Sequence, residues 1–264
     1  MKFDSRWIYV AVFLTIGIPI LAPIGLPVLI TPTTRGMFDA IQNLPSGSIM
    51  YLGIDFLAVS QPELLPMSTA VYKQAISRPI SIVMACFSTT DCPLFTQRII
   101  QQIGYGSKKY GEDIVFLGYF PGLETPIAAF AKDVRSVVSV DAFGTPISQL
   151  ALMNRVKSAA DFNLWVVMTS GDYVPYLRQV QSPYHIKMAF GTSSPEYPTG
   201  LVYYQSGQIV GLLNGLRGAA EYELLIHSPG SAAGGMDAQS VTQLFIIVAV
   251  IGANALYFSR RKKK

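Results

Sequence analysis

The stretch Ile80–Gly104, ISIVMACFSTTDCPLFTQRIIQQIG, decides the fold class. Its first seven residues, Ile80 to Cys86, are an almost unbroken apolar run. A run this short, bounded by Pro79 and a Ser-Thr-Thr-Asp turn, predicts a strand buried on both faces. After Pro93 the apolar residues Phe95, Ile99 and Ile103 recur every fourth position, which predicts a helix. Gly104 then ends it with a natural left-handed cap.

The same alternation extends in both directions. Further strands are predicted at Ser48–Ile54 (SIMYLGI), Asp113–Tyr119 (DIVFLGY), Leu164–Met168 (LWVVM) and Ile186–Phe190 (IKMAF). Helices are predicted at about Thr34–Leu44, Met67–Arg78, Pro93–Ile103, Pro126–Val138, Ile147–Ala160, Tyr173–Gln181 and Ser206–Ile226. Apolar strands joined by helical crossovers form a parallel sheet covered on both faces. The expectation is therefore α/β: one Rossmann-like three-layer domain with about five parallel strands over residues 31–226. No internal repeat is visible.

Composition places this domain at a membrane. Half of the 264 residues are hydrophobic and 14% are charged, against about 25% in a soluble domain. Trp7–Ile30 contains no charge and is long enough to cross a bilayer. A cleaved signal peptide is the competing reading. The run outlasts a signal h-region and ends in Val-Leu-Ile-Thr-Pro, which favours a retained N-terminal transmembrane helix over residues 7–30. Pro19, Pro23 and Pro27 would share one face of that helix. A second, C-terminal transmembrane helix is expected over 239–258, its uncharged core Val241–Phe258 and its start capped by Asp237. Residues 227–238, within HSPGSAAGG and beyond, read as a flexible linker.

The flanks set orientation. Lys2, Arg6, Arg260, Arg261, Lys262, Lys263 and Lys264 lie outside the spans with one acid, Asp4. Basic flanks stay in the cytoplasm. The tails 1–6 and 259–264 are thus expected inside, and the domain outside. Thr31–Ala238 holds 13 basic and 15 acidic residues, so the basic character belongs to the tails. A slightly acidic domain gives no reason to expect nucleic acid.

Cys86 and Cys92 are the only cysteines. Outside the cell they are expected to close a short disulfide loop across the strand-to-helix turn; two free thiols are the plainer reading. The spacing is wrong for CxxC redox chemistry, and nothing nearby completes a zinc site.

Open parallel sheets bind ligands beyond the carboxyl ends of their strands. The loops there read DFLAVSQPE, FSTTDC, FPGLET, TSGDY and GTSSPEY. They supply the ligand-binding candidates Asp55, Ser88, Glu124, Asp172, Ser193 and Glu196. The same residue types are ordinary caps and turn formers, which is the plainer account. No G-x-G-x-x-G, P-loop or G-x-S-x-G motif occurs. His185 and His227 stand at the wrong ends for a general base. No catalytic residue, cofactor or metal is expected.

Gly207, Gly211, Gly215 and Gly218 stand out within SGQIVGLLNGLRGAAEYELLI. Glycine weakens a helix by up to about 1 kcal/mol against alanine, so a ridge of glycines implies close backbone approach. Packing on the domain's own sheet is one reading and a subunit interface the other.

These observations lead to a non-enzymatic assembly or scaffold component of a membrane complex. Its expected partners are the bilayer and either itself, as an oligomer, or other membrane proteins. An extracytoplasmic ligand-binding or sensing domain, and a hydrolase-like enzyme at the membrane surface, are the alternatives.

Overall fold

A computed structural model describes residues 6–171 and 173–261. The apolar runs become β1 (Ile49–Asp55), β2 (Ser81–Cys86), β3 (Ile114–Tyr119), β4 (Leu164–Thr169), β5 (Met188–Thr192) and β6 (Gly211–Asn214). They form one six-stranded sheet, order β3-β2-β1-β4-β5-β6, with every pairing parallel. The order reverses between β1 and β4, the switch point of a doubly wound sheet.

The helices are α1 (Arg6–Leu21), α2 (Pro32–Gln42), α3 (Gln61–Ser77), α4 (Cys92–Ile103), α5 (Glu124–Lys132), α6 (Val134–Val137), α7 (Val174–Tyr176), α8 (Ser182–Tyr184), α9 (Tyr197–Gln205), α10 (Gly215–Leu225) and α11 (Ser231–Arg261). A π-helical turn, Leu177–Gln181, joins α7 to α8. Every residue of β1 is buried, and alternate side chains enter opposite layers of the core. Met50, Leu52 and Ile54 face α2, α3, α4 and α10; Ile49 and Tyr51 face the other layer, with Phe130, Phe162 and Trp165. Tyr51 stacks on Trp165 at 4.0 Å between ring centroids.

Several expectations need correction. The sheet has six strands, because the stretch expected as one helix over Ser206–Ile226 is a turn, β6 and α10. Gly207 turns the chain at φ +77°, and the buried run Gly211–Leu213 then adds beside β5. A four-residue strand carries no periodicity of its own, and the glycine spacing hid it. Ile147–Ala160 contains 3₁₀ turns in place of a helix. Its backbone bonds to other segments: Leu152 N donates to Gly111 O, and Lys157 O accepts from Val134 N. Helix α9 lies where only a loop was expected.

The first expected span also differs. Helix α1 stops at Leu21, leaving about 24 Å of helix, short of the roughly 30 Å hydrocarbon thickness. Pro19 lies inside it, while Pro23 and Pro27 lie in the extended arm that follows, so the three share no helix face. Among the described residues one helical stretch is long and apolar enough to cross a membrane, Ser231–Ala255 in α11. Because α11 begins at Ser231, most of the expected linker is helical, and Asp237 sits inside the helix instead of capping it.

The contacts fix the direction in which the apolar helices leave. Helix α10 starts at the carboxyl end of β6. Along α11, Ala232 bonds to Glu223, Gly235 abuts Leu216, and Met236, Asp237 and Ser240 line a cleft with Arg217. Helix α11 therefore runs antiparallel to α10 and clears the sheet at its carboxyl edge, near the start of the apolar run at Val241. Helix α1 lies antiparallel beside it, with Pro19 and Ile20 against Gly234 and Thr15 bonded to Thr242. The arm re-enters at the same edge, where Thr33 meets Tyr197 at the start of α9.

Candidate functional site

The switch point at the carboxyl ends of β1 and β4 is the natural place for a ligand. Asp55 ends β1 and is buried. Its carboxylate accepts from Phe87 N at 2.9 Å, Ser88 N at 3.0 Å and the Tyr176 hydroxyl. Ser88 Oγ donates to Asp55 O at 3.3 Å. Burial pushes the Asp55 carboxyl up from its ordinary value, against the pull of these hydrogen bonds. The group ties the β2–α4 loop to β1, and its acceptors point inward.

Cys86 and Cys92 stand at disulfide-bonding distance beside it, Cα atoms 6.2 Å apart. Their sulfurs and an Asp55 oxygen lie within 4.8 Å of one another, the one set of metal-ligand type found among the described residues. With the sulfurs paired, no thiolate remains for a metal. All three residues are buried, so the group staples the loop below the surface.

The remaining candidates do not converge on Asp55. Glu124 receives Arg178 at 2.8 Å and Gln179 at 3.1 Å, which hold its carboxyl below the usual range. Ser193 and Glu196 lie on the β5 loop, two strands from β1; Glu196 N donates to Ser193 O, and Glu196 O accepts from the Tyr173 hydroxyl. Asp172 lies outside the described residues.

Sequence reasoning missed Tyr176, Glu63 and Asp91 in these loops. Glu63 accepts from Ser194 N at 2.7 Å and Oγ at 3.0 Å. Asp91 accepts from Ala58 N at 2.9 Å. Both fasten one loop to the next, and only the sheet order brings those loops together. No known protein-family model matches this chain, and no curated protein matches it either.

The glycines divide by position. A Cβ on Gly211 would strike the Met37 backbone in α2, its Cα at 2.5 Å; one on Gly215 would strike Ser194 and Glu63; one on Gly218 would lie 2.9 Å from Leu213 C. Gly207 faces open space. The close approaches of the three buried glycines lie within the chain: they seat α2 and α10 on β6 and the β5 loop at the start of α10.

A second cluster of acids joins the domain to the apolar helices. Asp237 accepts from three successive amides, Ile24 N at 2.7 Å, Gly25 N at 2.8 Å and Leu26 N at 3.0 Å. Glu221 accepts from Thr31 N at 2.9 Å and Thr31 Oγ1 at 2.7 Å, and pairs with Arg217. Glu223 accepts from Gly230 N, Ala232 N and Ala233 N, satisfying amides that the first turn of α11 leaves open. All three acids are buried. An acid beside an apolar span, as in AAGGMDAQS, was the available sequence signal.

Proposed function

We propose that this chain is an integral membrane protein in which α11 spans the bilayer, α1 lies against it, both termini are cytoplasmic and the domain at 31–226 is extracytoplasmic. Its role in this reading is a non-enzymatic assembly component that presents the α/β domain in a fixed pose. The observation that carries the reading is the grip of Asp237 on residues 24–26, with Glu221 and Glu223 beside it. A domain that only meets a soluble ligand or substrate works equally well on a loose tether. Three buried carboxylates committed to the junction make sense when orientation relative to neighbouring membrane proteins matters. The basic tails support the orientation, and a cysteine pair at bonding distance suits an oxidising compartment.

The test is mass and proximity together. The detergent-solubilised protein is expected to run as a particle whose protein mass exceeds the single chain's 28.8 kDa. A cross-linker placed at Phe13, which is exposed on α1, should trap a neighbour in native membranes. A single-chain mass at all concentrations with no cross-link overturns the assembly role.

One observation favours the ligand-binding alternative at a different place. A cleft of about 610 Å³ opens at the amino edge, lined by Asp39, Asn43, Asn163, Tyr184, His185 and Lys187. His185 holds φ 52°, a left-handed conformation costly for a non-glycine residue and common at binding sites. A panel of small polar compounds that raises the melting temperature, with the gain lost in Asp39→Ala, would favour that reading.

A further inference from the structure

The geometry points to a second membrane contact: the carboxyl-edge loops after β1, β2 and β4 form an apolar rim that rests in the bilayer surface beside α11. This rests on the reading of α11 as a membrane span. Val59 is 82% exposed, Leu94 65%, Leu57 52% and Val174 39%. Single exposed apolar residues need no explanation, but these four lie on loops that bond to one another. Leu57 N bonds to Ser170 on the loop that leads to Val174, and Ala58 N bonds to Asp91, three residues before Leu94.

The occupant follows from where the chain leaves the domain. Helix α11 clears the sheet at this same edge and turns apolar just beyond it, and α1 lies beside it. The strands therefore point toward the bilayer, and their carboxyl ends come to rest at its level. The charges agree. The rim acids Glu63 and Asp91 bond to backbone amides of neighbouring loops, and the exposed Arg178–Glu124 pair beyond the rim is mutually neutralised. The opposite edge presents polar turns, with Ser46, Gly47, Lys157 and Asp161. Apolar side chains carried into the headgroup region bind by buried area, and binding of this kind does not require anionic lipid.

The full chain in phosphatidylcholine vesicles tests this, with single environment-sensitive probes on Val59→Cys, Leu94→Cys, Ala160→Cys and Ile247→Cys. The native cysteines are buried at bonding distance and leave the engineered site as the target. Ala160 reports the amino edge and Ile247 the span. Lipid-borne quenchers are expected to quench Val59 and Leu94 at least about twofold more than Ala160, without added anionic lipid. Quenching at Ile247 with Val59 and Leu94 matching Ala160 overturns the rim and leaves the span standing. No quenching at Ile247 overturns the span and the rim with it. Quenching of the rim only when anionic lipid is present overturns the apolar contact.

Discussion

Replacing Asp237 with alanine should release the arm that follows α1. The carboxylate accepts three amide hydrogen bonds of 2.7–3.0 Å from Ile24, Gly25 and Leu26. A hydrogen bond to a charged group contributes about 1.5–3 kcal/mol net. The three do not add, because the arm is exposed and water can reach its amides once the carboxylate is gone. A total of about 2–3 kcal/mol follows, at 1.4 kcal/mol per tenfold a rise of roughly 30- to 150-fold in arm opening. Hydrogen exchange of the purified protein reads this at the residue: protection at 24–26 should fall by that factor while β1 and β4 keep theirs. Asp237→Asn retains one acceptor and should fall between. Exchange within about threefold of wild type in Asp237→Ala would refute the clamp, since the bonds would then be worth under about 1 kcal/mol.

Gly211→Ala should cost about 1–3 kcal/mol, because its Cβ meets the Met37 backbone and α2 must shift, and a denaturant midpoint checks it. Gly207→Ala, in open space at φ +77°, should cost only its conformational strain of about 1–2 kcal/mol. Burial raises the Asp55 carboxyl, so the folded state holds that proton more tightly than the unfolded chain does. The Asp55 contribution is therefore most favourable below about pH 4, the unfolded value, and declines as pH rises from there through the raised folded value. The stability difference between wild type and Asp55→Asn should shrink across that window, and a difference that grows with pH would contradict the reading. Removing the cysteine pair as Cys86→Ser/Cys92→Ser should lower stability by about 2–4 kcal/mol, and thiol titration of the unfolded, unreduced wild type should find no free thiol.

The five longer strands were legible because each is a continuous apolar run closed by turn residues, as in ISIVMAC before its Ser-Thr-Thr-Asp turn. Helix α4 was equally plain, since Pro93 and Gly104 mark its ends. Strand β6 was not, because a run of four residues, three of them buried, fits any secondary structure and only the vacant edge of β5 decides among them. The site candidates show a related limit. Asp55 and Ser88 were named together and do bond, because consecutive β-α units lie side by side. The links from Asp55 to Tyr176 and from Asp237 to Ile24 join residues far apart in sequence, and only the folded chain brings them into contact.

The seating of α2 on β6 bears on how the chain is made. Residues near position 37 pack against residues near 211, so the first helix of the domain waits for its last strand. During synthesis the sheet from β1 to β5 can assemble and α2 can meet α3, but the face of α2 around Gly36 and Met37 is not covered until β6 has emerged. The two apolar helices therefore bracket a fold of long closing distance, and such closures are slow because a large loop must order before any contact rewards it. Completion of the domain and docking of the final helix along α10 become nearly the same event. A chain truncated just before Gly211 should thus leave the Gly36–Met37 face of α2 uncovered and open to chaperones or aggregation.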